Sequence, residues 1–201
     1  MTDWIKSTIE SFSYPGIIFL MLLENVFPPI PSELIMPLAG FLSTQGQLSI
    51  VGLVIAGTMG SVAGAIVLYY VGRFIGGKRL RQWSDRHGRW VGLSSADLDK
   101  SDEWFKRHGA KTVLFGRVVP GVRSLISIPA GVSMMDIRIF LLYTTLGSAV
   151  WTTMLAFAGR LLGRNYEQVE HVIGPISTVV VIGIVLTLII RGFRNRPAAK
   201  R

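Results

Sequence analysis

Four ionisable side chains stand inside stretches that are otherwise apolar: Glu24 and Glu33 early in the chain, Arg117 and Arg123 in its second half. Near the centre of a bilayer one charged side chain costs about 2.5 to 3.5 kcal/mol, so four of them facing lipid would cost roughly 10 kcal/mol or more. They must face one another or water. The arginine guanidinium is a flat, permanently charged fork whose donors match two oxygens of a phosphate. A carboxylate in a partly dehydrated site can exchange a proton near neutral pH. Acids in one stretch and bases in the other therefore suit an anionic substrate and a proton, with Arg117 and Arg123 binding a phosphate and Glu24 and Glu33 coupling or gating. The same four residues also suit a purely structural role, the acids neutralising the bases to hold two elements together.

Other chemistry has little to work with. The chain has no cysteine, which excludes disulfides, iron–sulfur clusters and thiol catalysis. His87, His108 and His171 lack companion acids at metal-ligand spacing, so no metal, no cofactor and no catalytic residue is expected. Tyr69, Tyr70, Tyr143 and Trp151 fall on apolar segments and read as packing or interfacial residues.

The elements that must position the four charges are membrane segments. Half of the 201 residues are hydrophobic, mean hydropathy is +0.47 and only 16% are charged, against about 25% in a typical soluble domain. A spanning helix needs about 20 apolar residues, and residues 48–74, 139–163 and 172–190 supply them. Two further apolar stretches do not read as simple spans. Residues 14–43 contain Glu24, Pro28, Pro31 and Glu33, and residues 112–135 contain Arg117, Pro120, Gly121 and Arg123. Proline removes a backbone donor and clashes with the preceding turn, and non-helical backbone at membrane depth must be buried in protein or line a wet cavity. Each stretch therefore reads as a broken, re-entrant hairpin. Gly40 and Gly131, near the hairpin ends, are candidate hinges because glycine tolerates backbone change.

The net charge of +9 is concentrated in residues 77–111 and 191–201. Basic clusters beside apolar spans face the cytoplasm, so a basic linker and a basic tail are expected there, and no nucleic-acid partner. Within the linker, Ser94 followed by Asp97 resembles a capping box and opens a short interfacial helix. Residues 1–13 lack the basic stretch and cleavage site of a signal peptide and are expected to be retained.

The sequence also repeats. Gly60-Ser61-Val62 and Gly72-Arg73-Phe74-Ile75-Gly76 return 87 residues later as Gly147-Ser148-Ala149 and Gly159-Arg160-Leu161-Leu162-Gly163, and the Ala-Gly of Gly40 returns at Gly131. The fold expected is an all-α membrane protein. Its first repeat occupies residues 14–76 and its second 112–163, each a hairpin plus one span, with a last helix after them. A unit with one crossing reverses direction, so the two copies would be inverted, as in many transporters. In that alignment Glu24 matches Arg117 and Glu33 matches Arg123. Small-residue faces permit a homodimer without requiring one.

Glu24-Asn25-x-x-Pro28-Pro29-x-Pro31-Ser32-Glu33, the Gly60 to Gly64 segment with Tyr69 to Arg73, Phe115-Gly116-Arg117-x-x-Pro120-Gly121-x-Arg123 and Ala130-Gly131-x-x-Met134 together resemble the DedA family of bacterial membrane proteins, over most of the chain from Glu24 to Arg160. The resemblance implies opposed re-entrant hairpins in the cytoplasmic membrane and proton-dependent lipid transport, with undecaprenyl phosphate or phosphatidylethanolamine as substrate. It also implies critical roles for Glu24, Glu33, Arg117 and Arg123. Where many relatives have an acid after the glycine equivalent to Gly64, this chain has Ala65, which speaks against a mechanism needing an acid at that position. The expectation is a flippase returning undecaprenyl phosphate to the inner leaflet. A phospholipid translocase, a proton-coupled cation exchanger, an intramembrane lipid phosphatase and a membrane assembly factor are its rivals. The phosphatase would need a positioned nucleophile such as a histidine, and neither hairpin contains one.

Overall fold

A computed structural model of the chain describes residues 2–27, 32–46, 48–91, 95–119 and 122–162. Among the described residues six helices follow one another: α1 (Thr2–Val26), α2 (Ser32–Thr44), α3 (Ile50–Val91), α4 (Ser95–Val118), α5 (Ser127–Val132) and α6 (Ile137–Leu162). Pro28, Pro31, Pro120 and Gly121, expected to break the hairpins, lie outside the described residues. So do Ser94, the expected span at 172–190 and the basic tail.

Two helices bend sharply. In α1 the backbone of Ser13 turns to φ 52°, and Pro15 follows in the first turn of the new segment, where its missing N–H would have had no partner anyway. In α3 the bend is at Gly76, with φ 66°, a left-handed conformation open to a residue without a Cβ. Before that bend α3 is apolar, and Ile50–Phe74 is long enough to cross a membrane, as is Ile137–Leu161 of α6. Each spans 25 residues, about 37 Å at the helical rise.

Less than half of either crossing segment is buried. Val51, Ile55 and Met59 on α3, and Leu142, Leu146, Val150 and Met154 on α6, point outward at intervals of about one turn. The interior helix of a soluble protein would hide such a stripe. One left open calls for an apolar solvent.

The basic linker is more helical than a short interfacial helix implies. α3 continues past Gly76 to Val91, and α4 runs unbroken from Ser95 through Lys111 to Val118. No proline interrupts that stretch, and the two glycines within it, Gly109 and Gly116, each cost a helix only about 1 kcal/mol.

Packing is exchanged between the halves: α1 lies on α3 and α4 on α6, but α2 lies on α6 and α5 on α3. Glycines mark the crossings. A Cβ added to Gly131 of α5 would strike the carbonyl oxygen of Tyr69, and one on Gly72 of α3 that of Ile128. In the other half, a Cβ on Gly40 of α2 would strike the carbonyl of Ala156, and one on Gly159 of α6 that of Pro37. Every α3 residue in these pairs maps onto its α6 counterpart by 87 positions, and every α2 residue onto its α5 counterpart by 91. Two apolar clusters fill the interior. One gathers Ile17, Leu20, Met21, Ile35, Met36 and Leu53, and the other Ala65, Tyr69, Val113, Ala130 and Phe140.

Candidate functional site

The last turn of α1 carries Glu24 and Asn25, both buried. Gly64 of α3 makes room for them, since a Cβ there would stand 2.5 Å from the Asn25 Cβ. The Asn25 amide nitrogen donates to the Met21 carbonyl at 3.0 Å and to Glu24 Oε2 at 3.2 Å. With the nitrogen so occupied, Oδ1 faces away from Glu24.

Arg117 reaches that oxygen. It stands in the last turn of α4, with its Cβ over Gly147 of α6, and only 2% of it is exposed. Its Nη1 donates to Asn25 Oδ1 at 3.2 Å and its Nη2 to Ser127 Oγ at 2.6 Å. The buried Nε meets no acceptor among the described residues. Arg117 thus carries a positive charge held by two neutral groups, with a donor to spare.

Arg123 is held differently. It projects from the turn ahead of α5, where its backbone N–H donates to the Val119 carbonyl at 3.2 Å, and its guanidinium forms an ion pair with Glu24 in which both side chains are almost completely buried. The guanidinium carbon also lies 5.8 Å above the ring of Trp151 on α6, within cation–π range. Ser124 Oγ donates to Glu24 Oε1 at 3.3 Å. Glu24 therefore accepts from Asn25 and Ser124 and is ion-paired with Arg123.

Glu33 opens α2 and is half-buried. Ser32 Oγ donates to its Oε2 at 3.3 Å and accepts from Trp151 Nε1 at 3.4 Å. Glu33 and Arg123 both act electrostatically on Glu24, and Glu24 and Arg123 on Arg117. The structure thus brings the four charges singled out in the sequence into one polar centre. It pairs only Glu24 with Arg123. Among the described residues Glu33 forms no ion pair with an arginine, and Arg117 touches no carboxylate.

The register of the two halves also differs from the sequence alignment. Gly60 meets Met21 where Gly147 meets Arg117, so the residue opposite Arg117 is Met21 rather than Glu24. Counted by the offset of α2 against α5, Glu33 matches Ser124 and Ser32 matches Arg123. Gly40 and Gly131, the candidate hinges, stand inside helices at the crossings, while the described bends are at Ser13 and Gly76. Ala65 is buried in the second apolar cluster.

Asn25, Ser127, Ser124 and Trp151 were missed as members of the centre. The signal available was that Asn25 and Ser127 are polar residues within runs too apolar to solvate them. Away from the centre, Arg73 Nη1 donates to the Tyr69 hydroxyl at 2.8 Å, and that hydroxyl donates to the Met135 carbonyl at 2.5 Å.

The VTT-domain family profile matches residues 30–161. An "alkaline phosphatase-like protein" of Lactococcus lactis is 42% identical over 193 residues, covering 94% of this chain and 90% of that protein. "Undecaprenyl phosphate transporter A" of Staphylococcus aureus is 38% identical over 203 residues, covering all of both. "Protein DedA" of Escherichia coli is 26% identical over 192 residues, 92% of this chain and 85% of that protein. No solved structure matches the chain. The outward apolar faces, the buried charges at the helix ends and these relatives agree: the chain is a membrane protein and belongs to the VTT-domain, or DedA, family.

Proposed function

We propose that the protein is a flippase that returns undecaprenyl phosphate from the outer to the inner leaflet of the bacterial cytoplasmic membrane, coupled to protons. The observation that carries this reading is Arg117: a buried guanidinium with neutral partners and an unused Nε donor. A charge moved out of water is costly unless a counter-charge compensates it, and a phosphate monoester supplies both the charge and the oxygens. The name of the Staphylococcus aureus relative supports that substrate.

Arg117 takes the phosphate while the prenyl tail stays in lipid. Arg123 joins it when Glu24 takes up a proton from the outer side, and loss of that proton restores the ion pair and expels the phosphate. Glu33, half-buried, passes protons to and from Glu24. Each half is a re-entrant hairpin and a span, inserted in opposite senses, and the constant offsets at the glycine crossings support that arrangement. Gly40 and Gly131 do not bend but let the hairpin helices rest on α6 and α3, and the hairpins rock on those contacts. The basic linker and tail face the cytoplasm.

The test is transbilayer movement of labelled undecaprenyl phosphate in proteoliposomes, for wild type, Arg117→Ala and Glu33→Gln, with and without an imposed pH gradient. Movement that needs Arg117 and responds to the gradient is expected. Equal movement in all three proteins, or none in any, sinks the proposal in favour of a phospholipid or cation substrate or an assembly role. Release of inorganic phosphate from the lipid would favour instead the chemistry named in the Lactococcus relative.

A further inference from the structure

We propose that Asn25 is a positioning residue that relays the charge state of Glu24 to Arg117, so that one carboxylate governs both arginines. This rests on the reading of Arg117 as the phosphate anchor.

The side-chain amide of Asn25 is the sole described group that touches both Glu24 and Arg117, donating to the first from Nδ2 and accepting from the second at Oδ1. Its orientation is fixed twice, because Nδ2 also donates to the Met21 carbonyl. A flipped amide would set its oxygen against that carbonyl and its NH2 against a guanidinium. Chains of hydrogen bonds polarise one another in a low-dielectric interior, so an ionised Glu24 strengthens the hold of Oδ1 on Arg117 while pairing directly with Arg123. Neutralising Glu24 slackens both. The charged groups acting here are Arg123 ahead of α5, Glu33 of α2 and Arg117 of α4. At this level α3 presents Gly64, and α6 presents Gly147 and Trp151.

A neutral amide is the right group for such a relay. It holds Arg117 without cancelling its charge, leaving the guanidinium able to exchange a weak neutral acceptor for a phosphate. A carboxylate of the same shape would form a direct ion pair and keep the arginine from its ligand. A side chain serving only as packing or as a helix-to-helix hydrogen bond has no such requirement.

The test uses the purified full-length protein in detergent, retention of radiolabelled undecaprenyl phosphate, and thermal unfolding. Wild type, Asn25→Asp, Asn25→Leu and Arg117→Ala are compared at several pH values. The relay expects Asn25→Asp to stay folded at the assay temperature, although its second oxygen faces Glu24 and the Met21 carbonyl where the amide nitrogen donated, and to lose at least tenfold in retention at neutral pH. Relative to wild type at each pH, retention should return as acid neutralises the new carboxylate. Asn25→Leu should lose the part of the pH dependence of retention that reaches Arg117 and keep the part that runs through the direct Glu24–Arg123 pair, giving a shallower pH profile than wild type. If Arg117→Ala loses retention while Asn25→Asp binds as wild type does, Asn25 is not a relay and the anchor stands. If Arg117→Ala retains the lipid as well as wild type, or wild type retains none, the anchor itself is wrong and the relay falls with it.

Discussion

The glycine crossings and the polar centre are built on opposite principles. At the crossings the two halves of the chain do the same thing: Gly131 and Gly72 bring α5 onto α3 as Gly40 and Gly159 bring α2 onto α6, against backbone in every case. At the centre they do different things. Where the second half places Arg117 over Gly147, the first places Met21 over Gly60, and the carboxylate that answers Arg123 comes from the next turn of α1. A duplicated scaffold can be symmetric wherever only close packing is asked of it. A centre that pairs a carboxylate with a guanidinium cannot, because a symmetric copy would supply two guanidinium groups and no carboxylate.

The largest effect should follow from damage to a crossing. Gly131→Val and Gly40→Val each force a branched side chain into a neighbouring carbonyl, and overpacking of this kind costs about 1 to 3 kcal/mol or more. With backbone as the obstacle, and a Cβ falling on the Ala156 carbonyl at Gly40 and on that of Tyr69 at Gly131, the cost is expected to exceed that range and prevent folding. Both variants should show little monodisperse protein in size-exclusion chromatography, and to a similar degree. If one were tolerated and the other not, the equivalence of the crossings would fail.

Next come the arginines, which the structure predicts to be unequal. Arg123→Ala strands the buried Glu24 carboxylate, a loss of about 3 to 5 kcal/mol for breaking a buried pair. Arg117→Ala loses two hydrogen bonds from a charged donor, about 1.5 to 3 kcal/mol each, but it also removes a buried charge that has no carboxylate partner, so its net cost should be smaller than that of Arg123→Ala. Thermal unfolding in detergent should separate the two variants, and Glu24→Gln added to Arg123→Ala should recover much of the difference. Arg117→Lys, which keeps the charge and loses the fork, should fold as well as wild type and lose transport. Equal melting of Arg117→Ala and Arg123→Ala would remove the distinction drawn between the two sites.

Much of the scaffold was legible because its causes are local. The two crossing helices announce themselves as apolar runs, and the described helices Ile50–Phe74 and Ile137–Leu161 fall within two residues of the stretches read from sequence. The cost of burying charge was enough to gather Glu24, Glu33, Arg117 and Arg123 into one place. Their pairing was not legible, since it depends on which residues at the end of α1 meet Arg117 and Arg123 in the folded chain, which no periodicity encodes. A shift of three residues makes Met21, not Glu24, the counterpart of Arg117, while the group of α1 that Arg117 touches is Asn25. The neutral partners were hidden for a related reason. Asn25 and Ser127 are cheaper to bury than an arginine, so their presence in an apolar run is a weaker signal than that of Arg117 or Arg123.

The smallest effect belongs to a second place where the halves differ. Tyr69 is buried on α3, its hydroxyl donating to the Met135 carbonyl in the turn before α6 and accepting from Arg73. By the offset of 87 its counterpart is Ala156, which can do neither, and Arg160, the counterpart of Arg73, is exposed. The ring of Tyr69 is stacked on Phe140 with centroids 4.7 Å apart, so Tyr69→Phe keeps the packing and deletes only the hydroxyl. A neutral hydrogen bond contributes about 1 kcal/mol net, and one with a charged donor somewhat more. The expected outcome is a fall in melting temperature smaller than that of Arg123→Ala, with retention of undecaprenyl phosphate unchanged, because the hydroxyl touches none of the residues around Arg117. A loss of retention in Tyr69→Phe would mean that the far end of α3 sets the geometry of the polar centre, and that the asymmetry between the halves is one connected feature instead of two separate ones.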